Sequence, residues 1–444
     1  MDQILILGFA RTGKAVAKLC SRVGVKVYIY EEDNVDIENK ETNIKITGLE
    51  YKDISFDKII VSPGFKLDHH IIKYFQSNNI PVISELEFSA YFSKHEIIAV
   101  TGTNGKGTTC TLIAKVLENA GFKSIVLGNI GIPFAELVLD IPLDYKVILE
   151  TSCAQLSLID KFHPKISVVT NLKPEHLNFY NSFEEYITFK KNISKNQTIE
   201  DTIVLNLDDQ VSYALFQESN AKKMYFSTTK TIFDGSYIDK ENYLVTVKDG
   251  NELKICKKKD VQAGLVDNSL AALIVGNIYS INSTILSKTI KDFKGLEHAI
   301  ELCGRIEKIN FYNDSKSTNE HSTIHALNCL EDIILITGGK DDKNCDYFYL
   351  SNKIKDKVKF VFIIGETKSK LQDNFYNIKY ENFKICNSLA DAVQQASDLA
   401  TNTDNILFSP AANSKDMFVD HKVRGNLFKK LVAEYLEQKG YESM

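Results

Sequence analysis

Short apolar runs recur along the chain, each followed by turn residues and then by a stretch with helical spacing. The first is Ile4-Leu5-Ile6-Leu7-Gly8, followed by a helix-like segment from Ala15 to Val23 and a second run, Val25 to Tyr30, closed by Glu31. A βαβ opening with an acid after the second strand is the layout of a Rossmann-like nucleotide fold. Gly8 and Gly13 alone do not complete a dinucleotide fingerprint, so a plain structural turn is the competing reading. Lys58 to Val61 predicts another buried strand, ending in Ser62-Pro63-Gly64.

Further runs lie at Ile97–Val100, Lys123–Leu127, Lys146–Leu149, Ile166–Thr170 and Thr202–Leu205, with helical segments between them. That alternation predicts a mostly parallel sheet. From Phe233 to Lys259 the pattern turns more polar and alternating, as expected of a small antiparallel side sheet. Beyond Phe293, strands at Ile333–Thr337, Val358–Ile364 and Asn405–Phe408 predict a second Rossmann-like unit. The expected fold class is α/β in three domains. Residues 1–93 and 295–444 are Rossmann-like, and residues 94–294 form a P-loop ATPase-like centre. No repeat at solenoid periods and no low-complexity tract interrupts this plan.

The most informative segment is Thr101-Gly102-Thr103-Asn104-Gly105-Lys106-Gly107-Thr108-Thr109. It follows the run Ile97–Val100 and precedes a helical pattern, Leu112-Ile113 then Val116-Leu117. Strand, glycine-rich turn and helix start aim several backbone N–H groups at one point, where phosphate binds well. Lys106 would reach the outer phosphates and the Thr108 hydroxyl could join a Mg²⁺ shell. The strict Walker spacing is not met, since Val100 replaces its first glycine and Gly107 its Ser/Thr. Gly8-Phe9-Ala10-Arg11-Thr12-Gly13-Lys14 nearly fits that spacing too, but Ala15 offers no hydroxyl to a metal.

Composition narrows the function. With 444 residues, 44% hydrophobic and 25% charged, the chain can build several sizeable cores. A net charge of −5 argues against general nucleic-acid or membrane binding, so an anionic ligand must be held by local lysines and amides. Eight cysteines without CxxC or metal-like spacing suit reduced thiols. The apolar start lacks a basic leader and reads as a buried strand, and no stretch reaches the roughly 20 apolar residues of a membrane helix. A soluble cytoplasmic enzyme is expected.

Other strand ends carry candidate chemistry, because open α/β sheets bind ligands there. Glu150, in Glu150-Thr151-Ser152, suits a metal ligand or a cap of the next helix. His176, in Asn171-Leu172-Lys173-Pro174-Glu175-His176, stands between a metal ligand and a structural histidine. Lys190 by spacing alone is a surface helix lysine. Asn313-Asp314-Ser315-Lys316-Ser317-Thr318-Asn319 offers Lys316 to a terminal phosphate and Asp314 to a ribose or metal water, although such residues are also common helix caps. Gly338 to Lys343 and Ser409 to Asp416 could each bind a small carboxylate.

Taken in order, T-G-T-N-G-K-G-T, E-T-S, N-L-K-P-E-H, N-D-S-K-S-T-N, G-G-K-D-D-K and S-P-A-A-N-S resemble the Mur ligase family over nearly the whole chain. The last three are most similar to its D-glutamate-adding members. The resemblance implies an ATP-dependent amide ligase of peptidoglycan precursor synthesis that adds D-glutamate to UDP-MurNAc-L-Ala through an acyl phosphate. It implies that Gly102, Thr103, Asn104, Gly105, Lys106, Gly107, Thr108, Asn268, Asp314 and Lys316 hold ATP. Thr108, Glu150, His176 and Lys190, the last as a carbamylated lysine, would serve two Mg²⁺ ions, with Lys106, Lys190, His176 and Glu150 catalytic. Arg11, Thr12, Ser62, Gly64 and Asn129 would face the UDP-sugar, and Thr318, Lys343 and Ser414 the D-glutamate. No nucleic-acid or membrane partner is implied, and a monomer is expected.

Several positions depart from the family pattern. Glu175-His176-Leu177-Asn178 stands for D-H-x-D, and Gln262 to Asn268 keeps only the final Asn of G-x-H-N-x-x-N. Gly295-Leu296-Glu297-His298-Ala299 lacks the arginine of G-L-x-H-R, Gly107 replaces a Ser or Thr, and His421 replaces a common aromatic residue. Competing readings are a related ligase with another acceptor amino acid and a non-catalytic nucleotide-binding relative.

Overall fold

The computed structural model describes residues 3–31, 44–46, 49–174, 179–180, 182–248, 250–342, 345–401 and 403–441. His176 and Lys343, both expected at the site, lie outside them. Two compact units form: residues 1–260 with 267–292, and residues 261–266 with 293–444.

The first unit opens with strands β1 Gln3–Leu7, β2 Lys26–Tyr30, β3 Ile44–Ile46, β4 Lys58–Val61 and β5 Val82–Ser84. All pair in parallel in the order β3-β2-β1-β4-β5. This is a Rossmann order, and it reverses between β1 and β4, so the crevice beyond their carboxyl ends is the binding position. Helix α1 Arg11–Arg22 starts there, with α2 His70–Ser77 between β4 and β5. Gly13 is required at that turn, because a Cβ would stand 2.0 Å from the Gly8 carbonyl oxygen.

After helix α3 Glu85–Ala90 comes a nine-stranded sheet. Its strands are β6 Ile97–Thr101, β7 Lys123–Gly128, β8 Tyr145–Glu150, β9 Ile166–Val169, β10 Thr202–Asn206, β11 Lys222–Ser227, β12 Gly235–Ile238, β13 Tyr243–Lys248 and β14 Asn251–Lys257. The order is β14-β13-β12-β11-β10-β9-β6-β8-β7, which places β6 between β8 and β9. The antiparallel strands expected as a side sheet are present and join the main sheet, because β12 pairs in parallel with β11. Four helices matter to the site: α4 Lys106–Asn119, α5 Phe134–Leu137, α6 Cys153–Ser157 and α7 Phe183–Lys191.

Both sheets of this unit share one apolar core. Ile4, Ile6, Val27 and Ile60 of the first belong to the same buried cluster as Ile97, Ala99, Val147 and Leu149 of the second. Helix α3 lies at this joint and carries two fully buried carboxylates, Glu85 and Glu87. Glu87 accepts the successive backbone N–H groups of Asp160 (3.0 Å), Lys161 (2.8 Å) and Phe162 (2.8 Å). A carboxyl group this deep is tolerable because three backbone N–H groups satisfy its two oxygens.

The second unit holds β15 Glu301–Ile306, β16 Ile309–Asn313, β17 Ile333–Thr337, β18 Val358–Ile363, β19 Phe383–Ile385 and β20 Asn405–Phe408. Their order is β15-β16-β20-β17-β18-β19, parallel except for β15. Helices cover both faces over two buried clusters. The eight cysteines are free, and no helix among the described residues is long and apolar enough to cross a membrane.

Glu87→Leu keeps apolar bulk but strands three amides. It should lower unfolding stability of the first unit by about 3 kcal/mol or more, read from urea unfolding of the full chain.

Candidate active site

The phosphate loop runs from β6 into α4, and steric constraints fix its path. Gly102 has φ +142°, and a Cβ there would lie 2.0 Å from Thr170 Oγ1. Gly105 has φ +79° and starts α4 in a left-handed conformation, which L side chains rarely adopt. The residues just after β9 hold the loop from below. Thr170 Oγ1 donates to the Asn104 carbonyl at 2.6 Å, and Asn171 Oδ1 accepts the Asn104 N–H at 3.0 Å. Thr103 N–H donates to the Asn171 carbonyl at 2.8 Å, and Thr103 Oγ1 lies 3.2 Å from Tyr186 Oη. Thr170, Asn171 and Tyr186 therefore act on the loop, and only their places after a strand and before Lys190 hinted at it in the sequence.

Lys106 Nζ donates to the carbonyls of Gly102 (2.9 Å) and Thr103 (2.7 Å). Asn268 Nδ2 donates to the Gly105 carbonyl at 3.2 Å and to Thr109 Oγ1 at 2.9 Å, so it braces the loop where α4 begins. Gly107 and Thr108 are buried in the first turn of α4.

Glu150 ends β8 beside the loop, in register with Val100 and Gly128. It is 3% exposed, and its Oε1 accepts Asn129 Nδ2 at 3.2 Å. Among the described residues no basic side chain pairs with it. The buried carboxylate of Glu150 beside the loop, and Thr108 in the first turn of α4, are oxygen donors of the type a hard divalent cation takes together with phosphate oxygens. Capping of the next helix falls instead to Ser152, whose Oγ accepts Gln155 N–H in a capping box.

Spacing alone makes Lys190 a surface lysine, and the structure corrects that. It is 2% exposed, its Nζ donates to the Gly102 carbonyl at 2.8 Å, and it lies 4.8 Å from the Tyr186 ring centroid. Helix α7 turns its Tyr186 and Lys190 inward, four residues apart on one face. Lys106 and Lys190 thus meet at one carbonyl oxygen. Cys153 lies close by, but burial pushes its thiol up to about 11 despite the opposing charge of Lys190, so it stays a thiol at neutral pH.

At the crevice of the first sheet, Ser62 Oγ donates to the Gly8 carbonyl at 2.8 Å, and Glu31 accepts Phe9 N–H at 2.6 Å. Thr12 is half-buried at the start of α1, and Gly64 is exposed. Arg11 donates to the carbonyls of Gly131 (2.7 Å) and Asn129 (2.8 Å). It therefore connects this crevice to the loop beside Glu150.

In the second unit the three motif loops sit at adjacent strand ends. Arg424, fully buried, binds two of them: Nε donates to Ser315 Oγ (3.0 Å), Nη2 to the Ser315 carbonyl (2.8 Å) and Nη1 to the Ala412 carbonyl (3.1 Å). Burial lowers its pKa to about 10, with Asp416 and Asp314 opposing. The third loop is joined by Lys340 N–H to the Asn413 carbonyl at 2.8 Å. Ser414 is buried, Thr318 half-buried and Lys316 exposed. Asn319 is the helix cap anticipated in this cluster, its Oδ1 accepting Ser322 N–H. Asp314 is not a cap. It is 3% exposed and accepts Ile300 N–H (3.1 Å) and Ser409 Oγ (2.7 Å), while burial raises its carboxyl to about 7. Arg424 went unnoticed in the sequence because nothing around it marks it off from other helix arginines.

Three parallel-sheet crevices, one of them holding a phosphate loop with a buried carboxylate and a buried lysine, define a nucleotide-using α/β fold. Comparison with known proteins agrees. Residues 100–276 match the Mur ligase middle domain. The chain is 34% identical to a UDP-N-acetylmuramoylalanine--D-glutamate ligase of Thermoanaerobacter sp. (strain X514), covering 97% of this chain and 98% of that one. It is 32% identical to the protein of that name in Clostridioides difficile (strain 630), covering 96% and 97%. In fold it is similar to the MurF ligase of Thermotoga maritima solved with ADP, with TM-score 0.62, 14% identity, and 99% and 96% of the chains covered. A pseudomurein peptide ligase type C from Methanothermus fervidus gives TM-score 0.61 at 15% identity, covering 98% and 100%. The chain belongs to the Mur ligase family.

Two outcomes are expected from this geometry. Gly102→Ala should leave a folded protein by circular dichroism but weaken ATP binding at least about tenfold in calorimetry, because the loop must leave Thr170. Asp314 holds its proton more tightly folded than unfolded, where the ordinary value is 3.8. Stability is therefore lost as pH rises from about 4 to about 7. Asp314→Asn should remove that loss and gain about 3 kcal/mol over the native chain between pH 5 and pH 8, read from unfolding midpoints.

Proposed function

We propose that this chain joins D-glutamate to UDP-N-acetylmuramoyl-L-alanine at the expense of ATP, in peptidoglycan precursor synthesis. The observation that carries the reading is the meeting of Lys106 and Lys190 at the Gly102 carbonyl, beside the strand end that delivers Glu150. Full-length likeness to relatives named for this reaction supports it.

The substrate carboxylate attacks the γ-phosphorus of ATP, giving an acyl phosphate and ADP. The amine of D-glutamate then attacks the acyl carbon, phosphate leaves, and the amine gives up a proton as the amide forms. The loop amides and Lys106 hold the phosphate charge in place, so catalysis is mainly positioning and electrostatics. Two Mg²⁺ ions, held by Thr108, Glu150, His176 and a carbamylated Lys190, would neutralise charge on the transferring group. Carbamylation adds CO₂ to the neutral Lys190 amine and releases a proton, turning a cation into a metal-seeking anion. Asn268, Asp314 and Lys316 serve the nucleotide. Arg11, Thr12, Ser62, Gly64 and Asn129 serve the UDP-sugar, and Thr318, Lys343 and Ser414 the D-glutamate. In this reading residues 1–93, 94–294 and 295–444 are the three domains of a cytoplasmic monomer.

The test is ATP-dependent phosphate release with UDP-MurNAc-L-Ala across a panel of amino acids. Release with D-glutamate alone is expected. Release with a different amino acid would reassign the acceptor, and no release while ATP binds would make the chain a non-catalytic relative. Lys190→Ala should lose turnover and regain part of it with added short carboxylic acids, which stand in for the carbamate; undiminished turnover would rule the carbamate out.

A further inference from the structure

Glu85 is buried without any side-chain cation against it among the described residues, yet it touches both segments that frame Glu150. Its Oε1 accepts Ala135 N–H at 2.9 Å, at the start of α5, with Ser89 Oγ at 3.4 Å. Its Oε2 accepts Gln155 Nε2 at 3.1 Å, on α6. Burial drives this carboxyl upward, and the bonds from Ala135, Gln155, Ser89 and Phe134 oppose that shift. Gln155 passes the contact on, since its Oε1 accepts Ser152 N–H at 2.9 Å and Ser152 Oγ at 3.0 Å. Ser152 lies two residues beyond Glu150, and the intervening Thr151 is fixed to β6 by N–H and Oγ1 bonds to the Val100 carbonyl at 2.9 Å and 3.1 Å.

On the other side, α5 ends the loop that begins with Asn129. That loop is closed by Gly128 N–H to the Ile132 carbonyl and by Asn129 N–H to the Glu150 carbonyl, both at 2.9 Å. Asn129 also supplies the amide that meets the Glu150 carboxylate.

We propose that Glu85 is a positioning residue for Glu150, setting the carboxylate's place at the phosphate loop by clamping the Ser152 and Asn129 segments from the first sheet's side. The proposal rests on Glu150 as a metal ligand. Groups hydrogen-bonded directly to a metal ligand change metal affinity about 10- to 100-fold when lost. Glu85 stands further out and acts on Glu150 through Gln155, Ser152 and the Asn129 loop, so the lower end of that range is expected.

The bonding pattern supplies its own test, because the acid and the amide can exchange places. In Glu85→Gln two amide NH₂ groups face each other, and an N–H of Ser152 or Ala135 is left unmade. In Gln155→Glu two carboxylates face each other in a dry site. In the double variant E85Q/Q155E, Gln at 85 accepts Ala135 N–H and donates to Glu at 155, which accepts Ser152 N–H. Every bond of the chain is restored.

Each single variant should raise the Mg²⁺ concentration for half-maximal turnover about tenfold. KM for D-glutamate should stay within about twofold. The double variant should return the Mg²⁺ dependence to within about twofold of the native chain. Should a single variant not fold, Gln155→Met, which keeps the volume and drops both bonds, takes its place. Calorimetry of the Mg²⁺ complex of a non-hydrolysable ATP analogue gives the same comparison without turnover. A failed ligase reading is thereby separated from a failed clamp. Unchanged Mg²⁺ dependence in variants that merely unfold more easily, or a double variant no better than the singles, would overturn the proposal.

Discussion

The site depends on how closely the Gly102 backbone approaches Thr170. With no Cβ at Gly102, β6 turns directly over the end of β9, and the Thr170 hydroxyl reaches the Asn104 carbonyl. The loop then has a fixed floor, and the Gly102 carbonyl faces the two lysines. Because β6 lies between β8 and β9, the same turn comes to rest beside Glu150. A side chain at that one position would push the phosphate loop off Thr170 and Asn171, which fix its path.

Much of this was legible from alternation of apolar runs and helical spacing. Strands such as Lys58–Val61, Ile333–Thr337 and Asn405–Phe408 were bounded by clear turn residues and appear where their patterns end. The hairpin Glu301–Ile306 and Ile309–Asn313 leaves no clear mark in the sequence, because Arg305, Glu307 and Lys308 interrupt its apolar pattern. Val82–Ser84 and Phe383–Ile385 are too short to carry a period. The side sheet was visible as polar alternation, but its attachment to the main sheet is a pairing choice that no local pattern encodes.

At the candidate site, local pattern marks residues at strand ends more clearly than residues on helices. Glu150 and the loop were found because a parallel strand presents the residues at its carboxyl end to the crevice. Lys190 illustrates the limit: on a short helix with a lysine beside it, nothing local says which of the two turns inward. Its burial is decided by Tyr186 and by a carbonyl some ninety positions earlier in the chain. Arg424 and Glu85 share that character, being ionisable residues whose partners lie mostly on distant segments of the chain.

Arg424 grips its neighbours by two carbonyl oxygens and one hydroxyl, that of Ser315. Main-chain oxygens are the same whichever side chain the residue carries, so this clasp is indifferent to most substitutions in the loops and intolerant of insertions or deletions. Side chains on these loops can therefore change with little effect on the clasp, while the lengths of the loops cannot. His421, which opens the helix His421–Gln438 that carries Arg424, meets the same frame through its carbonyl, which accepts the Ser315 hydroxyl at 2.8 Å, so a different side chain at 421 leaves that bond in place.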